Sequence, residues 1–399
     1  MSFKNVTSAE LSGQENIKVL PDIHRLVIAC GDSLGTIDER KRRHLEVSLR
    51  DDVQSMAGPW FQDVQLVHRC LPEMNLGDVS TKTSLFSHHL SAPLIISAIT
   101  GGTEEGKAIN RNLSLAAEEL GIGVGVGSQR IAIEDPTRES SFRVVREAAP
   151  TALVLGNLGC PQLGMGYGTD EARRCVRMID ADVLALHMNP LQESIQVRGE
   201  ARYSGILGKI QEIVEGVGVP IMAKETGAGV AFEDAVRLDK TGVIGIDVSG
   251  LGGTSWSAVE QRIAMENGDM SKASLGDLFS TWGIRTAVSI VEVKRSTRMT
   301  VIASGGVRTG IDMAKAIALG ADAVGVAQPL VKPAQESSDR VVETVNGLLA
   351  EFRTAMFLTG ARNVEELRKV PVVLVGGVAE WLERRGFDPD SYARRYGSG

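Results

Sequence analysis

The stretch HMNPLQE, residues 187–193, is the densest set of side chains able to do chemistry in this chain. His187 and Asn189 are two residues apart, so on an extended strand both project to the same side. Gln192 and Glu193 follow at once. A single carboxylate among amides suits Mg2+, which keeps waters and takes its remaining ligands from phosphate oxygens. Glu193 is therefore the candidate metal ligand, and His187, Asn189 and Gln192 are candidate catalytic groups. A histidine at a strand end is also, by default, a hydrogen-bonded structural residue, but the polar neighbours here weigh against that reading.

Two glycine-rich stretches suggest phosphate or a flat ring. In SGGVRTG (304–310) and VAQPL (326–330), Gly305 and Gly306 leave backbone N–H groups unobstructed just before a helix start. Such a start binds phosphate through its N–H groups and dipole. A glycine pair also makes tight turns, but position after a seventh strand favours a phosphate site. In DVSGLGGTSW (247–256), Ser249, three glycines and Thr254 would let a ring or a second phosphate lie against the backbone, unless the loop is simply flexible. GIGVGVG (121–127) matches a dinucleotide fingerprint by letter only, because its glycines fall within a strand and no acid follows at the right distance. Lys224, at the end of an apolar run, would put a cation where an anionic ligand can pair with it. Ahead of all these, DERKRRHLEVSL (38–49) reads as a basic helix. At 100° per residue, Arg40, Lys41 and His44 share one arc and Arg42 points away. This face is either an anion clamp or a solvated surface.

The elements positioning these residues follow from eight short apolar runs: 93–98, 121–127, 152–157, 182–189, 219–225, 243–250, 300–306 and 322–327. None alternates cleanly with polar residues, so all read as parallel strands covered on both faces. Helical patterns lie between most of them. The expected fold is a (β/α)8 TIM barrel, an α/β class in which sites form at the C-terminal strand ends; a doubly wound sheet is the competitor. The chain is expected to divide into an N-terminal extension with a substrate-clamp segment (1–92), the barrel (93–334) and C-terminal helices packed on it (335–399). The insertion after the sixth strand, around 257–287, reads as a lid or surface loop.

Composition narrows the class. The chain has 399 residues, 43% hydrophobic and 23% charged, with a net charge of −7. That acidity argues against nucleic acid as a partner. No apolar run reaches the roughly 18 residues of a membrane span, and the N-terminus has no signal-peptide core, so a cytoplasmic location is expected. Cys30, Cys70, Cys160 and Cys175 are too scattered for a disulfide framework or zinc site and read as reduced, buried thiols.

The stretches RKRRH, LVHRCLPEMNLGDV, SAPLIISAITGG, GVGSQR, GNLGCPQL, HMNPLQE, AKETGAG, DVSGLGGTSW, WGIRTAVSI and ASGGVRTGIDMAKAIALGA resemble, in order and spacing, the type 2 isopentenyl-diphosphate isomerases. The resemblance runs from about residue 40 to about 360. It implies FMN, Mg2+, NADPH to keep the flavin reduced, a small diphosphate substrate, and a homotetramer or larger homo-oligomer. Carried over, FMN would contact Ala98, Thr100, Gly101, Ser128, Asn157, Lys224, Ser249 and Thr254, with its phosphate on Gly305, Gly306, Ala327 and Gln328. Arg40, Lys41, His44, Arg130 and His187 would face the diphosphate, Asn189 and Gln192 the allyl portion, and Glu193 the Mg2+. Three departures bear on substrate identity: Arg285 where the family has proline, the run QVRGEARYSG (196–205), and a long segment ahead of RKRRH. They leave room for a paralogue acting on another phosphorylated or prenyl compound. An FMN oxidoreductase of the α-hydroxy-acid oxidase type is disfavoured, because it needs a late His–Arg pair and no histidine follows His187.

Overall fold

The computed structural model describes residues 37–50, 52–197 and 199–395, with side chains from Lys41 onward. The eight apolar runs form β1 (Leu94–Ile96), β2 (Gly123–Gly125), β3 (Val154–Gly159), β4 (Val183–Met188), β5 (Ile221–Glu225), β6 (Gly245–Asp247), β7 (Thr300–Ala303) and β8 (Ala323–Val326). They pair in parallel, and β8 meets β1 with Val324 opposite Leu94, closing the barrel. Closure explains why the runs show no polar alternation. Ile95, Leu155, Ala185, Met222 and Ile302 fill the interior, while Leu94, Val124, Val154, Leu184, Val301 and Val324 join the larger core beneath the surrounding helices. A hairpin, Thr83–Leu85 with His88–Leu90, adds Leu85 and Leu90 to the interior cluster, so part of the pre-barrel segment belongs to the barrel's own core.

Helices near the strand ends include α1 (Ile37–Arg50), α2 (Pro190–Ile195), α3 (Trp256–Glu266), α4 (Met270–Leu278), α5 (Gly310–Leu319) and α6 (Gln328–Glu336), and α7 (Ser338–Thr359) follows them. The insertion after β6 is not a loop: it folds into α3 and α4. Ser255 caps α3 by accepting from Ala258 N–H, and Asp269 caps α4 by accepting from Lys272 N–H. Such caps contribute about 1 kcal/mol each. Apolar residues at 256, 259, 263 and 264 give α3 its buried stripe. Val259 packs with Val47 of α1, and Arg50 pairs with Glu266 at 2.5 Å, so the basic helix is docked on the insertion. The C-terminal segment also contains a strand, Val372–Leu374, antiparallel to Val64–Leu66.

Among the described residues no helix is long and apolar enough to cross a membrane. Cys160 and Cys175 are buried, and burial pushes both thiols up to about 12. Cys70 is exposed, contrary to the expectation of buried thiols, and Cys30 lies outside the described residues.

Candidate active site

One cavity of about 300 Å3 opens at the C-terminal ends of the strands. It is lined by Ala98, Thr100, Ser128, Asn157, Lys224, Ser249 and Thr254, and at one end by Gly305, Gly306, Ala327 and Gln328. Lys41, His44, Arg130, His187, Asn189, Gln192 and Glu193 also line it. Two expected residues do not. Gly101 lies behind the wall, where its carbonyl accepts from Lys41 Nζ at 2.9 Å and an added Cβ would stand 2.3 Å from Phe142. The side chain of Arg40 lies outside the described residues, although α1 runs through it.

At the glycine-rich end, Gly305 (φ +99°) and Gly306 (φ +79°) adopt left-handed backbone that favours glycine. The bareness of 250–253 has a second cause. A Cβ on Gly305 would meet the Gly250 carbonyl at 2.1 Å, one on Gly253 the Gly306 nitrogen at 2.6 Å, and one on Gly252 the Pro59 nitrogen at 2.2 Å. Loops from β6 and β7 are pressed backbone to backbone, so part of the glycine content serves protein packing rather than a ligand. Among the described residues no protein acceptor takes the N–H groups of Gly306, Val307 or Gln328. Beside them Arg308, whose role the sequence does not disclose, donates to Val307 O and Gln54 Oε1, and its buried Nε has no partner. Unsatisfied N–H groups, the start of α6 and a half-buried guanidinium together form an anion cradle.

Lys224 does face the cavity, but its ammonium also donates to Asp247 Oδ2 at 2.7 Å. Asp247 accepts in addition from Ser304 Oγ at 2.5 Å and Ser249 N–H at 3.2 Å. Register makes this pair: Lys224 on β5 lies opposite Asp247 on β6. The carboxylate holds the lysine in place beside the glycine loops.

The HMNPLQE residues fall into two hydrogen-bonded groups, one around His187 and one joining Asn189, Gln192 and Glu193. Asn157 Nδ2 donates to Val126 O at 3.0 Å, which turns its Oδ1 to His187 Nδ1 at 2.8 Å. His187 therefore carries its proton on Nδ1, with Nε2 as an acceptor. Burial, and then the charges of Lys224 and Lys41, push its pKa down to about 4, so the ring is neutral near pH 7. Asn189 Nδ2 donates to Gln192 Oε1 at 3.1 Å and Glu193 Oε1 at 3.0 Å. Gln192 Nε2 in turn donates to Glu260 Oε1 at 3.0 Å, and His44 Nε2 lies 2.9 Å from the same oxygen. Glu260, on α3 and only 3% exposed, belongs to none of the motifs that mark the site in the sequence. Its signal is its place on the 256, 259, 260, 263 stripe of a helix, a lone acid where apolar residues belong.

Of the basic residues, Lys41 points inward and also donates to Ser128 O at 2.7 Å, while Arg42 points out and pairs with Glu46. Arg130 lines the cavity but forks onto Glu200 and also pairs with Glu134 at 2.7 Å. Its charge is shared with two carboxylates. Arg285 is not in the lining; its guanidinium stacks on Trp60 at 5.0 Å and donates to Gly58 O. This cation pins the strap at 58–60 and does not alter the cavity. Among the described residues no three His, Cys, Asp or Glu side chains converge as a metal cage. Glu193 stands as a single carboxylate, which fits a cation completed by substrate oxygens and water.

Comparison with known proteins agrees with this geometry. Residues 175–373 match the FMN-dependent dehydrogenase family. The isopentenyl-diphosphate delta-isomerase of Methanosarcina barkeri is 47% identical over 361 residues, covering 90% of this chain and 98% of that protein. That of Pyrococcus furiosus is 47% identical over 354 residues, covering 87% and 89%. A solved mandelate oxidase variant with a C4a-OH-FMN adduct is 19% identical with a TM-score of 0.55, covering 84% of this chain and 99% of that one. The last likeness is one of fold. The identity to the isomerases extends over about nine-tenths of the chain, and the chain belongs to the type 2 isopentenyl-diphosphate delta-isomerase family.

Proposed function

We propose that this protein interconverts isopentenyl and dimethylallyl diphosphate, with reduced FMN and Mg2+ held in the cavity and NADPH as the reductant. The reading rests on one observation: a single cavity joins an anion cradle and a held lysine to a polar network ending in a buried carboxylate. FMN, when bound and reduced, supplies a proton donor and an electron-rich ring beside the alkene. The chain's own residues do the rest. The N–H groups of Gly306, Val307 and Gln328, with Arg308, would hold the flavin phosphate, and Lys224 would offer its ammonium to the rest of the cofactor. Lys41, Arg130 and His187 would hold the substrate diphosphate, and Glu193 would hold Mg2+, which would offset the diphosphate's charge. Gln192 presents its amide to the allyl carbons; the proton leaving C2 would enter at Gln192 Oε1 as an Nε2 proton passes to the Glu260 carboxylate, so that Glu260 ends up holding it. One proton is gained at C4 and one lost at C2, so no net redox change occurs.

The test is anaerobic incubation of the purified protein with FMN, Mg2+, NADPH and isopentenyl diphosphate. Dimethylallyl diphosphate is the expected product; its absence from flavin-loaded protein contradicts the function. Glu193→Gln is expected to weaken Mg2+-dependent turnover while the protein stays yellow, and loss of colour would contradict the role of Glu193.

His187 gives a pH signature. Its pKa of about 4 in the ligand-free site reflects burial and two nearby cations. A diphosphate placed there favours the charged ring and raises that pKa. Binding that raises this pKa takes up protons at pH values between the free-state and bound-state pKa, and weakens as pH rises through the bound-state pKa. Calorimetry in buffers of different ionisation enthalpy measures the uptake. A proton count that is the same in His187→Gln as in the wild type would remove His187 from the diphosphate site.

A further inference from the structure

We propose that Tyr203 is a positioning residue for the proton-handling amides, acting through Asn189 from outside the cavity. This inference rests on the function proposed above and adds a residue to it. Tyr203 lies in the departing run 196–205, half-buried against the main core and absent from the cavity lining. Its hydroxyl accepts from Asn189 N–H at 2.8 Å and donates to Asn189 Oδ1 at 3.1 Å. The two contacts come from one residue and leave little freedom. Burial holds the phenol well above its ordinary range, so it remains a donor.

The consequence is one of polarity. The two ends of an amide are nearly the same shape, and only hydrogen-bond partners decide which end faces where. With Oδ1 of Asn189 committed to the tyrosine hydroxyl, Nδ2 is the end that turns to Gln192 Oε1 and Glu193 Oε1. Gln192 then has its oxygen engaged as an acceptor, which leaves Nε2 to face Glu260. Glu260, as a carboxylate, can only accept. Donor and acceptor order thus runs without conflict from Tyr203 through Asn189 and Gln192 to Glu260. The same loop steadies Glu193: Glu200 N–H donates to Glu193 Oε2 at 2.7 Å, and the Glu200 carboxylate ties the loop to Arg130. A shell of this kind is worth roughly 10–100-fold in activity when one partner is removed.

Tyr203→Phe keeps the ring and removes only the hydroxyl. The expected result is a yellow holoenzyme whose kcat falls about 10–100-fold, with KM for isopentenyl diphosphate unchanged because no substrate contact is lost. In an Asn189→Ala background the same change is expected to cost much less, since only the hydroxyl's contact with the backbone N–H of residue 189 is left to lose. Wild-type kcat in Tyr203→Phe, a loss that appears in KM instead, or a loss that multiplies in full on Asn189→Ala would each overturn the proposal. A wild-type holoenzyme that leaves isopentenyl diphosphate untouched sinks the function and not this inference. The crystal structure of Tyr203→Phe then decides: a turned Asn189 amide with the Gln192–Glu260 bond lost supports positioning, and unchanged geometry overturns it.

Discussion

Gln192→Ala is expected to lower kcat by roughly 10²–10⁴-fold, the usual span for removing a general acid–base partner, while the protein remains yellow. Gln192 is the member of the network that both lines the cavity and touches Glu260. Its removal separates the substrate from the buried carboxylate by the length of a side chain. Glu260 would still be held by His44, so the loss is of contact with substrate rather than of the base itself. Flavin binding should not change, because the anion cradle and Lys224 belong to other strands. Single-turnover isomerisation by pre-reduced enzyme measures the chemical step apart from product release. Retention of the wild-type single-turnover rate would show that Gln192 takes no part in proton transfer.

Gly306→Val is expected to abolish tight flavin binding. At φ +79° a β-branched residue is strained, and its Cβ would stand 2.5 Å from the Gly252 carbonyl and 3.0 Å from Pro59 Cβ. Left-handed strain of this kind costs of order 1–3 kcal/mol, within a total stability of about 5–15 kcal/mol, so the barrel folds with a displaced loop. Two N–H contacts to a phosphate, each worth about 1.5–3 kcal/mol, would be lost. At about 1.4 kcal/mol per tenfold, flavin affinity falls by roughly 10²–10⁴-fold. Titration of the apoprotein with FMN, followed by flavin fluorescence, gives the number. Gly208→Ala, where nothing lies within 4 Å of the new Cβ, serves as the control. Equal affinity in Gly306→Val and wild type would remove the phosphate from this cradle.

Most of the architecture is legible in the sequence because it rests on one-dimensional signals. A parallel strand buried on both faces is a short apolar run, and all eight runs are strands of the barrel. Strand ends are polar where the site is, and nearly every residue marked there lines the cavity. The features that escape the sequence depend on partners distant in the chain. Glu260 meets Gln192 across 68 residues and His44 across 216. Lys224 at a strand end suggests a wait for an anionic ligand, whereas the partner beside it is Asp247, one strand over. The insertion looks loop-like because its Gly, Ser and Met residues weaken any helical pattern, yet docking on α1 and α2 stabilises helices that propensity alone would not. The glycines at 250–253 stand out as bare backbone, but half of their reason lies in a neighbouring loop rather than in a ligand.

The central claim is that one flavin-lined cavity moves protons without consuming electrons. Holoenzyme reduced beforehand and freed of NADPH is given isopentenyl diphosphate and Mg2+ in anaerobic D2O. The account predicts many turnovers of dimethylallyl diphosphate carrying deuterium in its new methyl group, with the flavin spectrum still that of the reduced form at the end. No product, unlabelled product, or oxidation of the flavin in step with each turnover would contradict it.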